Sequence, residues 1–278
     1  MRLRRGDIEE DARTMAEYFD FSGRTVFVAG GSSGINLAIA DAFAARGARL
    51  CIASRSQERV DAAVAVLRQR GGQVSGYAAD VRDEVAIEAA LRRCHEAYGD
   101  IDILVSGAAG NFVAPALGMS AKGFRTVVDI DLNGTFNVLR AAHAFLRKPG
   151  ASVINISAPQ AANPTRYQAH VCAAKAGVDM LTRVLAMEWG PDGIRVNSLI
   201  PGPIGDTEGV ARLAPSPQAL AEMAASIPLG RFGTTQDVAN LALVLASPLA
   251  SFVTGALIPV DGGSSLGGGR DLSAALTR

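Results

Sequence analysis

Net charge, cysteine and long apolar runs are what this chain has least of. Its 27 basic and 27 acidic residues cancel, so no overall field draws it to nucleic acid, and only a local basic patch stays open to a phosphorylated ligand. Cys51, Cys94 and Cys172 are odd in number, scattered, and set in apolar periodic segments. That pattern argues against disulfides or a metal site and for reduced core thiols. No run approaches the roughly 18 uninterrupted apolar residues of a membrane helix. The start MRLRRGDIEEDARTMAEYF has basic residues but not the apolar stretch of a secretory signal, and Leu276-Thr277-Arg278 does not resemble a peroxisomal tail signal. A soluble, cytoplasmic protein with no membrane, nucleic-acid or metal partner is expected.

What the chain does have is apolar content for one large core: 49% hydrophobic and 19% charged over 278 residues. After a polar extension (1–22), short β-rich runs alternate with longer helical patterns. TVFVAG (25–30), RLCIAS (49–54), QVSGYAAD (73–80), IDILVSGAA (101–109), ASVINIS (151–157), GIRVNSLIPGPI (193–204) and ALIPVDGG (256–263) read as strands. Helical patterns lie between them, one running unbroken through Asp131 and another around Lys175. Near-continuous apolar strands separated by helices predict an α/β fold: a single Rossmann-type, doubly wound parallel sheet with helices on both faces. The domain is expected over 23–265, with a tail at 266–278. The irregular stretch 205–228, following a strand's carboxyl end, is a candidate lid over the ligand crevice.

Gly30-Gly31-Ser32-Ser33-Gly34-Ile35-Asn36 follows the first strand and opens a helix. Glycines allow a tight turn and close approach to a pyrophosphate, and the helix start supplies N–H donors and positive potential. Gly30, Ser32, Ser33, Gly34 and Ile35 are therefore candidate dinucleotide-binding residues. At the end of the second strand, an acid would hold a ribose 2′-OH and an arginine would accommodate a 2′-phosphate. Ser54-Arg55 stands there, which predicts NADP(H); the plain alternative for Arg55 is a solvated helix-start residue.

The glycine loop, Asp80-Val81, SGAAG (106–110), Lys175, PGPI (201–204) and VTGALIPVDGG (253–263) occur in order over about residues 22–265. Together they resemble the short-chain dehydrogenases/reductases. The resemblance implies that Asp80 and Val81 flank the adenine, Lys175 holds the nicotinamide ribose, and Ile204 contacts the carboxamide. It also implies that Ala108, Pro201 and Gly202 join the cofactor set. Three departures stand out. Val171 occupies the position four before Lys175, where a tyrosine normally shares the lysine's helical face. Ala158 replaces the usual serine, and Asp131 replaces the usual asparagine. Tyr167 lies eight residues before Lys175, about 12 Å along a continuous helix, too far to substitute unless a loop before the helix folds it back.

Asp131 has Val127, Val128, Gly134, Thr135 and Val138 as helical neighbours, a small and apolar face, whereas Asp129 shares its face with Arg125, Thr126 and Asn133. A carboxylate turned into a core needs a partner, and Lys175 is the natural one; the pair reads as functional or as a structural ion pair. His95 and His143 read as helix-surface residues, and His170 as a cap or packing residue. Asn36, in the last glycine position of the motif, either crowds the helix–strand packing or contacts the ligand pocket.

AAGNF (108–112), SAKGFRTVVDIDLNGTFNV (120–138), HVCAAKAGVDMLTRVLAMEWG (170–190) and IPGPIGDTEGVARLAP (200–215) resemble 2,4-dienoyl-CoA reductases, most of all the peroxisomal type, which also lacks the tyrosine. That resemblance implies a homotetramer and NADPH-dependent reduction of a 2,4-dienoyl-CoA to an enoyl-CoA in unsaturated fatty-acid β-oxidation. It places Asn111 as a donor to the thioester oxygen and Phe112 along the acyl or pantetheine chain. Ser120 and Arg212 would contact coenzyme A, and Arg55 and Arg82 would meet phosphates of cofactor or substrate. Gln160 stands where the mitochondrial type has a tyrosine, leaving Asp131, Lys175 and Asn111 as the candidate catalytic set. Two alternatives stay open: a reductase of another acyl thioester or carbonyl compound, and a catalytically silent dinucleotide binder.

Overall fold

The computed structural model describes residues 15–205, 207 and 216–267. Seven strands form one sheet in the order β3-β2-β1-β4-β5-β6-β7. They are β1 (Thr25–Ala29), β2 (Arg49–Ser54), β3 (Val74–Ala78), β4 (Ile103–Ser106), β5 (Ser152–Ile156), β6 (Arg195–Pro201) and β7 (Leu257–Val260). Every pairing is parallel. Alternate residues of β1 feed opposite cores, which is why the strands read as unbroken apolar runs. Val26 and Val28 meet Ile39 and Phe43 of α1 (Gly34–Ala44), Val60 and Leu67 of α2 (Gln57–Arg68), and Val238 and Leu243 of the helix Thr235–Ala246. Phe27 and Ala29 meet Ile87 and Leu91 of α3 (Glu84–Tyr98) on the other face. That side also holds Val138 and Leu139 of the helix Gly134–Ala142 and Leu185 of the long helix Ala169–Trp189.

The helix expected to run unbroken through Asp131 is interrupted. α4 (Ala121–Val128) passes into a π turn over Asp129–Asn133, from which α5 (Gly134–Ala142) continues. The wider turn adds a residue between the two helical stretches without reversing their faces. Val127, Asp131, Gly134, Thr135 and Val138 are buried, while Arg125 and Asn133 are exposed. π turns of this kind often mark functional positions. Next follow α6 (Ala169–Trp189), α7 (Pro217–Ala225) and α8 (Thr235–Ala246). α8 starts with a capping box between Thr234 and Asp237.

The chain before β1 contributes more than a polar extension would. Phe21 is buried, its ring edge-on to Phe43 at 4.9 Å. Within the candidate lid, α7 has no buried residue, and 206 and 208–215, with Arg212 among them, lie outside the described residues. The cysteines are unpaired. Cys51 and Cys94 are core thiols, but Cys172, on the outer side of the first turns of α6, is only half-buried, which corrects the expectation for all three. No helix among the described residues is long and apolar enough to cross a membrane.

At the amino-terminal edge of the sheet Asp102 staples three strands. It is 3% exposed and accepts from the Thr25 N–H at 2.9 Å, from Arg24 at 2.9 Å and from Arg147. Asp102→Ala leaves a buried N–H unsatisfied, with two half-exposed guanidinium groups unpaired. We expect it to lower stability by about 2–3 kcal/mol in urea unfolding, with the folded protein unchanged at the opposite sheet edge.

Candidate active site

The strand order reverses between β1 and β4, and ligands of open α/β sheets bind at such a switch point, outside the strands' carboxyl ends. A cleft opens there, lined by Gly30, Ser32, Ser33, Asn36, Ser54, Arg55, Arg59, Ala79, Val81, Ala108 and Ile130 among others. Gly30 has φ +81°, and a Cβ on it would lie 2.9 Å from the Ala108 amide nitrogen, so β4 approaches too closely for any side chain. Ser33 is the N-cap of α1, yet its side chain makes no capping hydrogen bond. The first-turn N–H groups thus face the cleft with no side-chain acceptor, as an anion site requires. Ser32 Oγ and Ser54 Oγ are 2.9 Å apart, closing the floor. Asn36 does neither of the things expected of it alone. It lines the cleft, and its Nδ2 also donates to the Gly107 carbonyl at 2.8 Å, tying α1 to the end of β4.

Arg55 is exposed at the cleft, and Arg59 joins it. No motif announces Arg59; the only signal is its spacing, one helical turn beyond Arg55. No side-chain hydrogen bond or ion pair holds either guanidinium among the described residues, so both remain open to a phosphate. Arg82 is placed differently. Its guanidinium chelates Asp80 at 3.0 and 2.6 Å, outside the cleft lining, and this partner holds the Asp80 carboxyl below its ordinary range. Val81 alone of the Asp80-Val81 pair faces the cleft. Pro201 and Gly202 end β6, where a Cβ on Gly202 would strike Asp261 at 2.5 Å. Ile204 is buried and bridges to Gly233. Ser120 caps α4 by accepting from the Gly123 N–H at 3.0 Å.

Beside this cleft the candidate catalytic residues meet. Lys175, buried on α6, donates to the Ile156 carbonyl at 3.0 Å, and its Nζ lies 3.5 Å from Asp131 Oδ2. At this separation the two groups form an ion pair without a hydrogen bond, so Oδ2 keeps a free lone pair beside the ammonium. Asp131 is 1% exposed, and its other oxygen accepts from the Gly110 N–H at 2.7 Å. The π turn can come this close to α6 because Gly177 has no side chain; a Cβ there would lie 2.7 Å from Leu132. Asn111 and Phe112 follow Gly110 directly, and Phe112 packs on the His170 ring at 4.3 Å between centroids. His170 is fully buried, and burial holds its imidazole below its usual range. Val171 is buried one turn before Lys175. Tyr167 has φ +67° and is 58% exposed, so it does not fold back to the lysine. His95 and His143 lie at the surface against Asp100 and Asp192.

One residue of this centre has no role assigned from the sequence: Asp179, one turn past Lys175 and buried on the same helix. Asn155 and Ser198 face α6 from β5 and β6, with Ser157 just past the end of β5, and the Ser157 and Ser198 hydroxyls lie toward the Asp179 carboxyl. Burial raises the Asp179 carboxyl above its ordinary range, against the pull of Ser157, Arg183 and Lys175.

The family model described as enoyl-(acyl carrier protein) reductase matches residues 29–265. The chain is 45% identical over 245 residues to the peroxisomal 2,4-dienoyl-CoA reductase, (3E)-enoyl-CoA-producing, of Pongo abelii, covering 87% of this chain and 84% of that protein. It is 38% identical over 246 residues to a probable 2,4-dienoyl-CoA reductase, (2E)-enoyl-CoA-producing, of Bacillus subtilis, covering 87% and 97%. A solved short-chain type dehydrogenase/reductase from Mycobacterium ulcerans matches with a TM-score of 0.85 and 35% identity, over 92% of this chain and 95% of that one.

A carboxyl whose folded pKa is raised favours the fold while protonated, and that contribution is lost as pH rises from the ordinary carboxylate range through the raised value. Asp179→Asn is therefore expected to increase the unfolding free energy at neutral pH. The gain over wild type should shrink to nothing as pH falls below the ordinary carboxylate range, read from denaturant midpoints at a series of pH values.

Proposed function

This chain belongs to the short-chain dehydrogenase/reductase superfamily and groups there with the 2,4-dienoyl-CoA reductases, and from that premise we propose that it reduces 2,4-dienoyl-CoA thioesters to enoyl-CoA with NADPH. One observation carries the reading. A buried lysine–aspartate pair stands beside the dinucleotide cleft, while Val171, one turn before Lys175 where a tyrosine-dependent enzyme would carry its phenol, supplies no acid. Chemistry on an alcohol or ketone needs a proton delivered to oxygen at once. Reduction of a conjugated dienoyl thioester needs instead a donor to the thioester oxygen, where the negative charge gathers, and a later proton to carbon.

The dinucleotide supplies the hydride when bound. The glycine turn and the start of α1 hold its pyrophosphate, and Arg55 with Arg59 binds the 2′-phosphate. Asn111 donates to the thioester oxygen, and Phe112, backed by His170, presents an apolar surface to the acyl chain. Asp131 and Lys175 hold a proton source: Oδ2, with its unmatched lone pair, accepts from a water that the ammonium also orients. An acyl-CoA partner and assembly as a homotetramer belong to the same reading.

Purified protein mixed with NADPH and 2,4-hexadienoyl-CoA should consume the cofactor absorbance and yield an enoyl-CoA by mass spectrometry. Tight NADPH binding with no turnover of any acyl-CoA would instead identify a silent binder. Asp131→Asn keeps the shape and removes the charge; we expect kcat to fall about 100-fold with NADPH affinity intact, and full retained turnover contradicts the proton-source role. Arg55→Ala and Arg59→Ala should each weaken NADPH binding about 10-fold by calorimetry, as loss of a charge-assisted contact implies, while NADH binding stays nearly constant. Equal losses for both cofactors would refute the 2′-phosphate assignment.

A further inference from the structure

Gln168 belongs to no motif, yet it links two residues that do. It is 2% exposed and stands at the N-cap of α6, but its side chain does not cap the helix. The side chain instead crosses to the neighbouring loop, where Nε2 donates to Asn111 Oδ1 at 3.0 Å. Its own Oε1 accepts from Gln160 Nε2 at 2.9 Å. Three primary amides thus form a chain with one direction, each nitrogen donating to the next oxygen. A primary amide has an acceptor at one end and donors at the other, so fixing one end decides what the other presents. With Oδ1 of Asn111 held inside, Nδ2 is the end left for the open side, and Asn111 is itself exposed there.

We propose that Gln168, oriented by Gln160, is a positioning residue that locks the Asn111 amide with its nitrogen outward, so that the site recognises an oxygen acceptor and rejects a donor. This rests on the reading of Asn111 as the thioester donor. An unheld asparagine turns freely, and in the reversed orientation its carbonyl would face the developing oxyanion and repel it. The loop itself does not depend on the amide chain. The Ala114 N–H donates to the Tyr167 carbonyl at 3.0 Å, and Phe112 lies on His170, so residues 111–114 stay against α6 when the chain is reversed. Directionality also makes Gln160 a remote control: a residue there that only accepts turns Gln168 around, which turns Asn111 around.

The test compares Gln168→Glu, Gln160→Glu and Gln160→Lys with wild type in two measurements. The first is kcat and KM with NADPH and 2,4-hexadienoyl-CoA. The second is calorimetric binding, to the NADP+-saturated protein, of that thioester and of a hexyl-CoA thioether lacking the carbonyl oxygen. Both acceptor-only glutamates should lower kcat about 100-fold and abolish the preference for thioester over thioether. The donor-only Gln160→Lys should keep both within about 3-fold of wild type, the ordinary scatter of a tolerated surface change. Gln160 is only half-buried, so its two variants remain informative if Gln168→Glu folds poorly. Preference and turnover that survive both glutamates overturn the inference alone. Equal losses in Gln160→Glu and Gln160→Lys overturn it too, since packing and not direction would then matter. A wild type that turns over no dienoyl-CoA and ignores the carbonyl overturns it together with the reading beneath it.

Discussion

An ammonium group taken out of water must find carbonyl dipoles and carboxylates in water's place, and Lys175 finds each on a different element. The Ile156 carbonyl comes from the end of β5 and the Asp131 carboxylate from the π turn. A buried charge without such partners costs several kcal/mol, so these elements are held in one arrangement by the same group to which the proposed chemistry is assigned. The near contacts follow from it. Gly177 admits Leu132, Gly134 admits Val81, and the Gly110 N–H satisfies the second oxygen of Asp131.

That arrangement connects the cleft to the substrate side through a few bonds. Asn36 ties the glycine turn to β4, β4 leads into residues 107–112, and these close over Asp131 and the first turn of α6. The sheet supplies the frame because the crossover between β1 and β4 leaves the carboxyl ends free, while Asp102 staples the opposite edge. The candidate binding and catalytic residues therefore sit on the loops and helix turns at the strands' carboxyl ends, and stability on the strands and the helices that cover them.

Much of this was legible in the chain. The β1–α1 glycine turn, the switch from Phe27 to Val28 facing opposite cores, and the inward face of Asp131 are all local patterns, and they survive even the π turn that breaks the expected helix. Arg59 and Asp179 were half-legible: each lies one turn from a residue of known interest, but spacing alone marks many surface residues in the same way. Arg82 and Ser120 show the opposite limit. Their types suit phosphate and coenzyme A, but the sequence does not announce that Arg82 also bonds Asp80 or that Ser120 also caps α4.

By itself, the sequence determined the fold class, the cleft for a dinucleotide and the loss of the tyrosine, because strand period, glycine backbone freedom and residue identity are properties of short segments. Only the tertiary structure decided that Asp131 lies 3.5 Å from Lys175 and that Gln160, Gln168 and Asn111 form one directed chain. Those distances depend on how the π turn, β5, the loop after β4 and α6 pack together. Asn111 and Gln168, 57 positions apart, reach hydrogen-bonding distance only through the core that joins their elements.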